Sequence, residues 1–403
     1  MVFWLSIRRY SGLIGLILIA NSAIAADINV VWLHSDADKF YEKIESYTGY
    51  TLVENKRPHR ALLAALKETK TRARASGVRL KLKTLKIDTG TQLAETINGK
   101  ILQNDLVILD LPLPMTIKVA QMLRSRPVVL INARHRTEIL RSEYCQSNLF
   151  HTIPSERMYA DALSQWIKAE GWTHILAVTG TTDEDKSKLA AFTSSAERLN
   201  LDIKAVRTFS TSNNPEFRQQ NHIKFLTGNL DYDLVVVFDS DKDFSRSIPY
   251  QTRLPRPVVG DQGLIPKSWH HAAERFGAPQ LNQRFNRASI LNHVEDDQHP
   301  RPMTDEDFAA WAAVKFLANN LPKKKTESID LLKIFRAYRT STVDLYKGMK
   351  GSFRPWNNQL RQPLFLATEN KVVEIAPIKG YLHAVNYADT LGVDQPESNC
   401  KFE

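Results

Sequence analysis

The chain has 403 residues, of which 43% are hydrophobic and 24% are charged, a composition typical of a folded soluble protein. Its length is enough for two domains with separate cores. The formal net charge is +10, but the basic residues are spread along the chain, and this pattern does not favour a nucleic-acid site.

Residues 1–25 have the pattern of a secretory signal peptide. Arg8 and Arg9 precede an apolar stretch at 12–20, and small residues at Ala23 and Ala25 fit a signal-peptidase site. We therefore predict cleavage before Ala26 and a periplasmic location. The alternative is a membrane anchor, which the short apolar stretch disfavours because a span needs about 20 residues.

Apolar patterns predict a first group of strands and helices. Short apolar runs at 28–33, 106–109 and 128–131 are typical of buried strands, whereas 78–87 alternates apolar with basic residues, as at a sheet edge. Helices are predicted at 59–75 and 91–102.

The pattern then begins again after a seam near 150–154. Ser155 is placed to cap a helix that runs to about 170, and a second helix is predicted at 187–199. Strands are predicted at 175–178, 203–209, 234–238 and from 258. Strand and helix thus alternate twice over, which predicts an α/β fold with two lobes, each a parallel sheet flanked by helices. Lobe I is expected at 26–150 with a return segment at about 255–345, and lobe II at 151–254 with part of about 346–403.

Ligands of parallel α/β sheets bind outside the carboxyl ends of the strands, so the residues that follow each predicted strand are candidate contacts. Aspartates are frequent there, and as a group they suggest a cleft that accepts a cation, although Asp also favours loops and caps in general. The candidates are His34, Asp36, Asp110, Asn132, Arg134, Thr179, Thr181, Asp239, Asp241 and Asp261.

The two cysteines, Cys145 and Cys400, are an even number in a chain predicted to be exported, which favours a disulfide. Two separate buried thiols are the alternative.

Several segments beyond residue 130 combine residues that rarely occur together. These segments are Cys145–Ser155, Pro257–Gly260, Trp269–His270, Gly277–Leu281, Phe353–Pro363, Asp389–Gly392 and Pro396–Cys400. With them the chain resembles the type I periplasmic binding proteins of the branched-chain amino acid transporter group. Within that group it resembles the substrate-binding component found with pyrroloquinoline-quinone-dependent alcohol oxidation systems. From 26 to about 100 the sequence departs from this pattern.

The resemblance implies a monomeric binding protein without catalytic activity, which delivers its ligand to an ABC transporter permease. A periplasmic alcohol dehydrogenase is a further candidate partner. The ligand would be a substrate, product or metal of such enzymes, some of which use calcium or a lanthanide. No cofactor is expected, apart from such an ion bound as the ligand.

Two acidic segments are candidate metal sites. Carboxylates alternate through 239–243, which makes Asp239 and Asp241 candidate ligands of a hard cation. An EF-hand is excluded because Phe244 and Tyr250 stand where Gly and Glu are required, and a solvated loop is the alternative. The cluster at 293–299 has acids and imidazoles suited to a transition metal, with an exposed loop as its alternative.

Motifs of hydrolases, zinc proteases and phosphate loops are absent from the sequence. The resemblance and the two predicted lobes imply capture of a small ligand between lobes that close. A sensor or accessory protein for an alcohol dehydrogenase system is the alternative, and an enzyme with a reduced cleft site is the third candidate.

Overall fold

The computed structural model describes residues 26–46, 48–87, 90–210, 221–292, 299–323 and 329–402. The predicted signal peptide and residues 293–298 of the second acidic segment lie outside the described residues. Within the described ranges, no helix combines the length and the apolar character needed to cross a bilayer.

The first lobe is built on a five-stranded parallel sheet. In chain order its strands and a two-stranded hairpin are β1 (Ala26–His34), β2 (Ile44–Glu45), β3 (Thr51–Val53), β4 (Val78–Lys86), β5 (Leu106–Asp110), β6 (Val129–Asn132) and β7 (Leu149–His151). The sheet order is β4-β1-β5-β6-β7, and β2 pairs with β3 outside it. Every residue of β5 and β6 is buried, as expected for apolar strands covered on both faces.

Strand β4 is the edge strand that its alternation of apolar and basic residues predicted. Arg79 of β4 pairs with Asp27 of β1, with 2.8 Å between Nε and Oδ1. Charged residues along an exposed edge discourage pairing with another chain.

In the described part of the chain, six helices cover this sheet. They are α1 (His59–Ala75), α2 (Gly90–Lys100), α3 (Leu113–Met122), and, from much later in the chain, α8 (Ala278–Asn292), α9 (Asp305–Asn319) and α10 (Leu331–Arg336). Leu62 of α1, Phe285 of α8 and Phe308 of α9 share one core with Trp32 of β1. Helix α9 begins with a capping box, in which Thr304 Oγ1 accepts a hydrogen bond from Asp307 N at 3.1 Å.

The second lobe contains a four-stranded parallel sheet with the order β11-β10-β8-β9. Its strands are β8 (His174–Thr179), β9 (Asp202–Thr208), β10 (Leu234–Phe238) and β11 (Val258–Gly260). Its helices are α4 (Glu156–Ala169), α5 (Asp183–Arg198), α6 (Ile223–Leu226) and α7 (Ile248–Gln251).

The starts of two helices in this lobe follow from their caps. Ser155 caps α4 as predicted, its Oγ accepting from Met158 N at 3.4 Å. Helix α5 begins four residues before the predicted 187, because Thr182 and Asp185 form a capping box there.

The remaining strands are β12 (Ile265–Lys267), β13 (Val343–Asp344), β14 (Lys350–Phe353), β15 (Leu360–Arg361), β16 (Leu364–Ala367) and β17 (Val372–Ala376).

Three segments of the described chain pass between the lobes. Along β16, Leu364 and Leu366 lie in the core of the second lobe, while Phe365 between them lies in the core of the first. Similarly, Leu264 before β12 belongs to the second core and Trp269 after it to the first. The third segment runs from β7 into α4.

Buried amide side chains join the C-terminal crossing segment to the segment that runs from β7 into α4. We call Asn358, Gln359 and Gln362 the amide ladder. Asn358 Nδ2 donates to Leu149 O at 3.0 Å, Gln359 Nε2 to Ile153 O at 3.1 Å, and Gln362 Nε2 to Thr152 O at 2.8 Å. These bonds satisfy backbone carbonyls at the edge strand β7 and immediately after it, where no further sheet strand supplies donors.

The C-terminal segment is held in place by ion pairs and by a disulfide. Arg354 and Arg361 both donate to buried Asp389, at 2.9 and 2.7 Å. Cys145 and Cys400 form a disulfide with a Cα–Cα distance of 5.8 Å, which confirms the predicted pairing. The unusual residue combinations at 353–363 and 389–392 therefore serve the junction between the lobes and its anchoring.

Candidate functional site

The carboxyl ends of β1, β5 and β6 bring three predicted site residues to one edge of the first sheet. His34 and Asp110 are register partners on β1 and β5, and Asn132 ends β6 beside them. Arg134 follows Asn132 and reaches the same carboxylate, with 3.6 Å from its Nη1 to Asp110 Oδ1.

Asp110 is surrounded by donors from the protein itself. Arg57 Nη1 donates to its Oδ2 at 3.1 Å, Trp32 Nε1 donates to the same oxygen at 3.2 Å, and Tyr41 OH donates to its Oδ1. Burial, and then the charge of Asp110, raise the pKa of Tyr41, which keeps the phenol protonated.

A second ion pair lies next to the first. Arg134 makes a two-point contact with Asp38, including 3.0 Å from Nη2 to Oδ1, and both side chains are nearly inaccessible to solvent. Burial opposes ionisation of Asp38, but the hydrogen bonds and charge of Arg134 outweigh it and lower the pKa of Asp38. We call Asp38, Tyr41, Arg57, Asp110 and Arg134 the lobe I network.

The segment between β1 and α1 covers these strand ends. The guanidinium of Arg134 lies 4.2 Å from the ring centroid of Phe40, and that of Arg57 lies 4.1 Å from the ring of Tyr41. Asp38, Tyr41 and Arg57 were missed at the sequence level, because this segment has no periodic pattern. Its departure from the family resemblance was the one available signal.

Two other predicted residues of the first lobe have local roles. Buried Asn132 accepts from His135 N at 2.8 Å and donates to His135 O at 2.8 Å, which fixes the loop after β6. Asp36 is exposed; it pairs with Lys86 at the sheet edge and lies 3.5 Å from His34 Nδ1. Burial, and then the charge of Arg57, lower the pKa of His34.

In the second lobe, the strand-end residues Asp239 and Asp261 also have hydrogen-bond or ion-pair partners within the protein. Asp239 accepts from Ser245 N at 2.8 Å, and its own N–H donates to Asp261 Oδ2 at 2.8 Å. Asp261 in turn pairs with Lys188 of α5 at 3.2 Å, and Lys188 also pairs with Glu184 at 2.9 Å.

The remaining three candidates of this lobe differ in exposure. Thr179 is buried and donates to Gly180 O at 3.2 Å, whereas Thr181 is exposed. Asp241 is partly buried; burial, and then the charge of Asp185, raise its pKa. Among the described residues, no group of three or more His, Cys, Asp or Glu is arranged to hold a metal ion. Metal binding at Asp239 and Asp241 therefore stays a prediction.

A further polar group, missed by sequence reasoning, lies where the lobes join. Asp305, at the start of α9, accepts from Ser268 N at 3.0 Å and from Tyr159 OH of the second lobe at 2.8 Å. Arg136 of the first lobe pairs with Asp305 at 3.3 Å and with Glu306 at 3.1 Å. The capping box at Thr304 was a sequence signal for the helix start but not for this contact.

Four basic side chains interact electrostatically beside this junction, and we call them the basic cluster: Arg136, Lys188, Lys242 and Lys267. Burial, and next the charge of Lys267, lower the pKa of Lys242 to about 8, with smaller contributions from Lys188 and Arg136. Lys188 and Arg136 have the carboxylate partners given above. In contrast, the ammonium groups of Lys242 and Lys267 have no hydrogen bond or ion pair within the described part of the chain.

One carboxylate in the same place is also without a partner. Glu156, the first residue of α4, is partly buried, and no described residue donates a hydrogen bond to its side chain. Burial raises its pKa, and the nearby charges of Arg136 and Lys188 act against that increase. The junction therefore holds two cations and one anion that make no hydrogen bond or ion pair with the described residues, although the charge of Lys267 acts on Asp305 and that of Asp261 on Lys242.

A cavity of about 690 Å³ lies elsewhere, at the opposite edge of the first sheet near the starts of β5 and β6. Its lining includes Asn104, Pro127, Lys333 and Arg336, and none of the strand-end candidates. We regard the junction as the candidate site, because Asp305 there contacts Tyr159 of the second lobe and Arg136 of the first, whereas the cavity is lined by residues of the first lobe.

No protein-family model matches the chain, and no curated protein matches its sequence. Solved structures do match. The branched-chain amino acid ABC transporter periplasmic ligand-binding protein of Burkholderia xenovorans LB400 has a TM-score of 0.66 at 11% identity, covering 93% of this chain and 99% of that one.

Two similar structures contain ligands. The ABC transporter substrate-binding protein of Desulfitobacterium hafniense, in complex with Leu, has a TM-score of 0.61 at 13% identity, covering 87% of this chain and 99% of the other. The solute-binding protein of an ABC transporter from R. palustris, in complex with benzoate, has a TM-score of 0.59 at 13% identity, covering 94% and 100%. These similarities confirm the predicted two-lobed type I periplasmic binding protein fold.

Proposed function

We propose that the protein is the solute-binding component of an ABC importer and that it captures a small ligand between its lobes in the periplasm. The observation that carries this proposal is the junction, where three described chain segments cross between two cores beside partly buried charges that make no ion pair. Closure of two lobes about such crossing segments is a way to enclose a ligand. The similar structures described above are binding proteins, which supports the same conclusion.

Capture would proceed by a shift in population. A ligand that contacts both lobes at once binds the closed form more tightly than the open form, and the difference in affinity favours closure. The amide ladder would hold the crossing segments in register while the lobes rotate. The closed form is the form that a permease would recognise.

A more specific proposal concerns the biological system in which the protein acts. The resemblance of the segments beyond residue 130 supports a role beside quinone-dependent alcohol oxidation, with the ligand drawn from its substrates, products or metals. An accessory role for a periplasmic alcohol dehydrogenase rests on the same resemblance. A pull-down from periplasm separates the two, because an importer component associates with a permease and an accessory protein with the dehydrogenase.

The proposal is tested by thermal denaturation of the mature protein with a panel of short alcohols, their acids, amino acids, calcium and lanthanide ions. A ligand present at 100 times its Kd should raise the free energy of unfolding by about 2.7 kcal/mol. We expect one chemical class to stabilise the protein saturably and without turnover. Conversion of an alcohol or aldehyde by the purified protein would show an enzyme instead.

A further inference from the structure

The C-terminal segment leaves the core of the second lobe and ends on the first lobe. Leu391 is fully buried in the second core. Further along the chain, the disulfide joins Cys400 to Cys145, which lies in the first lobe between β6 and β7. We call residues 391–400 the C-terminal strap. It connects the two lobes in addition to the three crossing segments.

We propose that the C-terminal strap limits how far the two lobes can move relative to one another, and that the disulfide fastens the strap to the first lobe. The proposal adds a restraint to the closing motion given above, on which it rests, and it assigns no ligand.

The first argument is that the strap is attached to a rigid part of the second lobe. Gly392 N donates to Asp161 Oδ2 of α4 at 2.6 Å, and fully buried Asp161 also accepts from Ser195 Oγ of α5 at 2.6 Å. Just before the strap, Thr390 Oγ1 accepts from Gln165 Nε2 of α4 at 3.1 Å. The strap is therefore tied to two helices of this lobe.

The other end of the strap is attached equally firmly to the first lobe. Cys145 is buried, and the backbone around it is held by Arg141. Arg141 Nη1 donates to Thr137 O at 2.7 Å, and its Nη2 donates to Ile153 O at 2.9 Å. Tension in the strap would therefore act on both lobes and not only on flexible loops.

The second argument is the length of the strap. The chain from Leu391 to Cys400 reaches at most about 30 Å when fully extended. It has little slack, because unwinding its 3₁₀ turn at Gln395–Glu397 would lengthen it by about 4 Å. Its start is also held to the C-terminal crossing segment, where Trp356 Nε1 donates to Val393 O at 3.1 Å. A strap this short restricts the distance between its two attachments.

The third argument is the place of attachment on the first lobe. Leu149 N donates to Gln146 O at 3.1 Å, so Cys145 lies at the amino end of β7. The chain crosses to the second lobe from the carboxyl end of the same strand. Lobes that close by hinge motion rotate about their crossing segments. A restraint attached away from the hinge opposes that rotation more strongly than one attached at the hinge, because it acts over a longer lever.

A disulfide can also stabilise a protein without restricting its motions, because it restricts the unfolded chain. That effect needs the covalent bond, but it changes little when a few residues are added to the closed loop, since the entropy of loop closure varies slowly with length. Motion of the lobes, in contrast, should depend directly on the length of the strap. Lengthening the strap therefore separates the two roles.

The test is double electron–electron resonance on the mature protein, which measures the distribution of distances between one spin label on each lobe. The labels are attached to unnatural residues at Lys70 of α1 and Lys186 of α5, so that both cysteines stay in the disulfide. Lys70 is exposed, and Lys186 is exposed and pairs with Asp183 at 3.3 Å.

The main variant has Gly-Gly-Ser-Gly-Gly-Ser inserted between Ser398 and Asn399, which keeps the disulfide and adds up to about 20 Å of reach. We expect the distribution of distances between the lobes to broaden by about 4 Å or more, the slack estimated for the native strap. The double variant Cys145→Ser/Cys400→Ser should broaden it at least as much.

The matched control carries the same insertion between Glu369 and Asn370, in an exposed turn outside the strap, and should resemble the wild type. Far-UV circular dichroism checks that each protein is folded. Broadening in the double cysteine variant but not in the strap insertion would overturn the proposal, because the length of the strap would then not matter. A distribution that is equally broad in the wild type and in every variant would also overturn it but leave lobe closure standing. One narrow distance in all of these proteins would contradict both the strap and the closure.

Discussion

The carboxyl ends of the two sheets use charge differently. In the lobe I network, Asp38 and Asp110 are matched by Arg134 and Arg57, and the segment after β1 covers them. At the junction beside the second sheet, Lys242, Lys267 and Glu156 remain without partners in the described part of the chain. Charges in the first region are therefore paired within the protein, whereas these three side chains make no ion pair with the described residues.

This difference bears on how a strand-end residue is interpreted. Position at the end of a parallel strand indicates where a ligand could bind, but a charge that the chain already neutralises contributes little to recognition. Asp110 ends β5 and Lys242 follows β10, and their surroundings differ: Asp110 is paired with Arg57, whereas Lys242 has no ion pair among the described residues.

The largest effect is expected from breaking the lobe I network. Arg134→Met leaves the buried carboxylate of Asp38 without its guanidinium, and loss of one partner of a buried ion pair costs about 3–5 kcal/mol. Urea denaturation measures this loss against Lys186→Met, which should be close to wild type. The double variant Arg134→Met/Asp38→Asn should recover part of the loss, because the unpaired charge is gone. A loss below about 1 kcal/mol, the value typical of an exposed pair, would contradict the comparison.

Much of the fold could be predicted from the sequence because its signals are local. The apolar runs at 106–109 and 234–238 became the buried central strands β5 and β10, and the alternation at 78–87 became an edge strand. The disulfide could be anticipated from the number of cysteines and the predicted export.

The lobe I network could not be predicted because its contacts are distant in sequence. Arg57 lies 53 residues from Asp110 and Tyr41 lies 69 residues from it. No periodic pattern marks Arg57 or Tyr41, so their convergence on one carboxylate depends on the three-dimensional course of an irregular segment.

The loop at 239–243 shows a different limit. Its alternating carboxylates suggested a cation site, yet Asp239 accepts from a backbone N–H and Asp243 pairs with Arg246 at 2.9 Å. Lys242, between two of these acids in sequence, is the residue left without a partner. Metal binding at this loop stays a prediction, because composition does not show which acids are already hydrogen-bonded.

Lys347 is a buried lysine whose hydrogen-bond partners are both neutral, in contrast to the paired charges of the lobe I network. Lys347 donates to Gln362 Oε1 at 2.8 Å and to Pro363 O at 3.0 Å, beside the crossing segment. Burial lowers its pKa well below the usual value, so the folded protein loses this proton at a lower pH than the unfolded chain does. Between the two pKa values the unfolded state holds more protons, and stability must therefore rise with pH.

Lys347→Met should remove this dependence. We expect the free energy of unfolding of the wild type to rise relative to the variant by at most about 1.4 kcal/mol per pH unit in that window. Denaturation curves from neutral to alkaline pH measure the slope. Parallel curves for the two proteins would mean that Lys347 stays charged when buried.

The smallest expected effect is on stability at Glu156. Its pKa is raised by burial, so above its ordinary pKa the folded state holds more of this proton than the unfolded chain does, and stability falls as pH rises. Glu156→Gln should therefore stabilise the empty protein at neutral pH, by less than about 1 kcal/mol because the side chain is only partly buried. Chemical denaturation at pH 7 measures this gain, with Glu170→Gln at the exposed end of α4 as the control. A loss of stability on replacing Glu156 would mean that its carboxylate is compensated in the empty protein, and the contrast between the two regions would then be limited to the lysines.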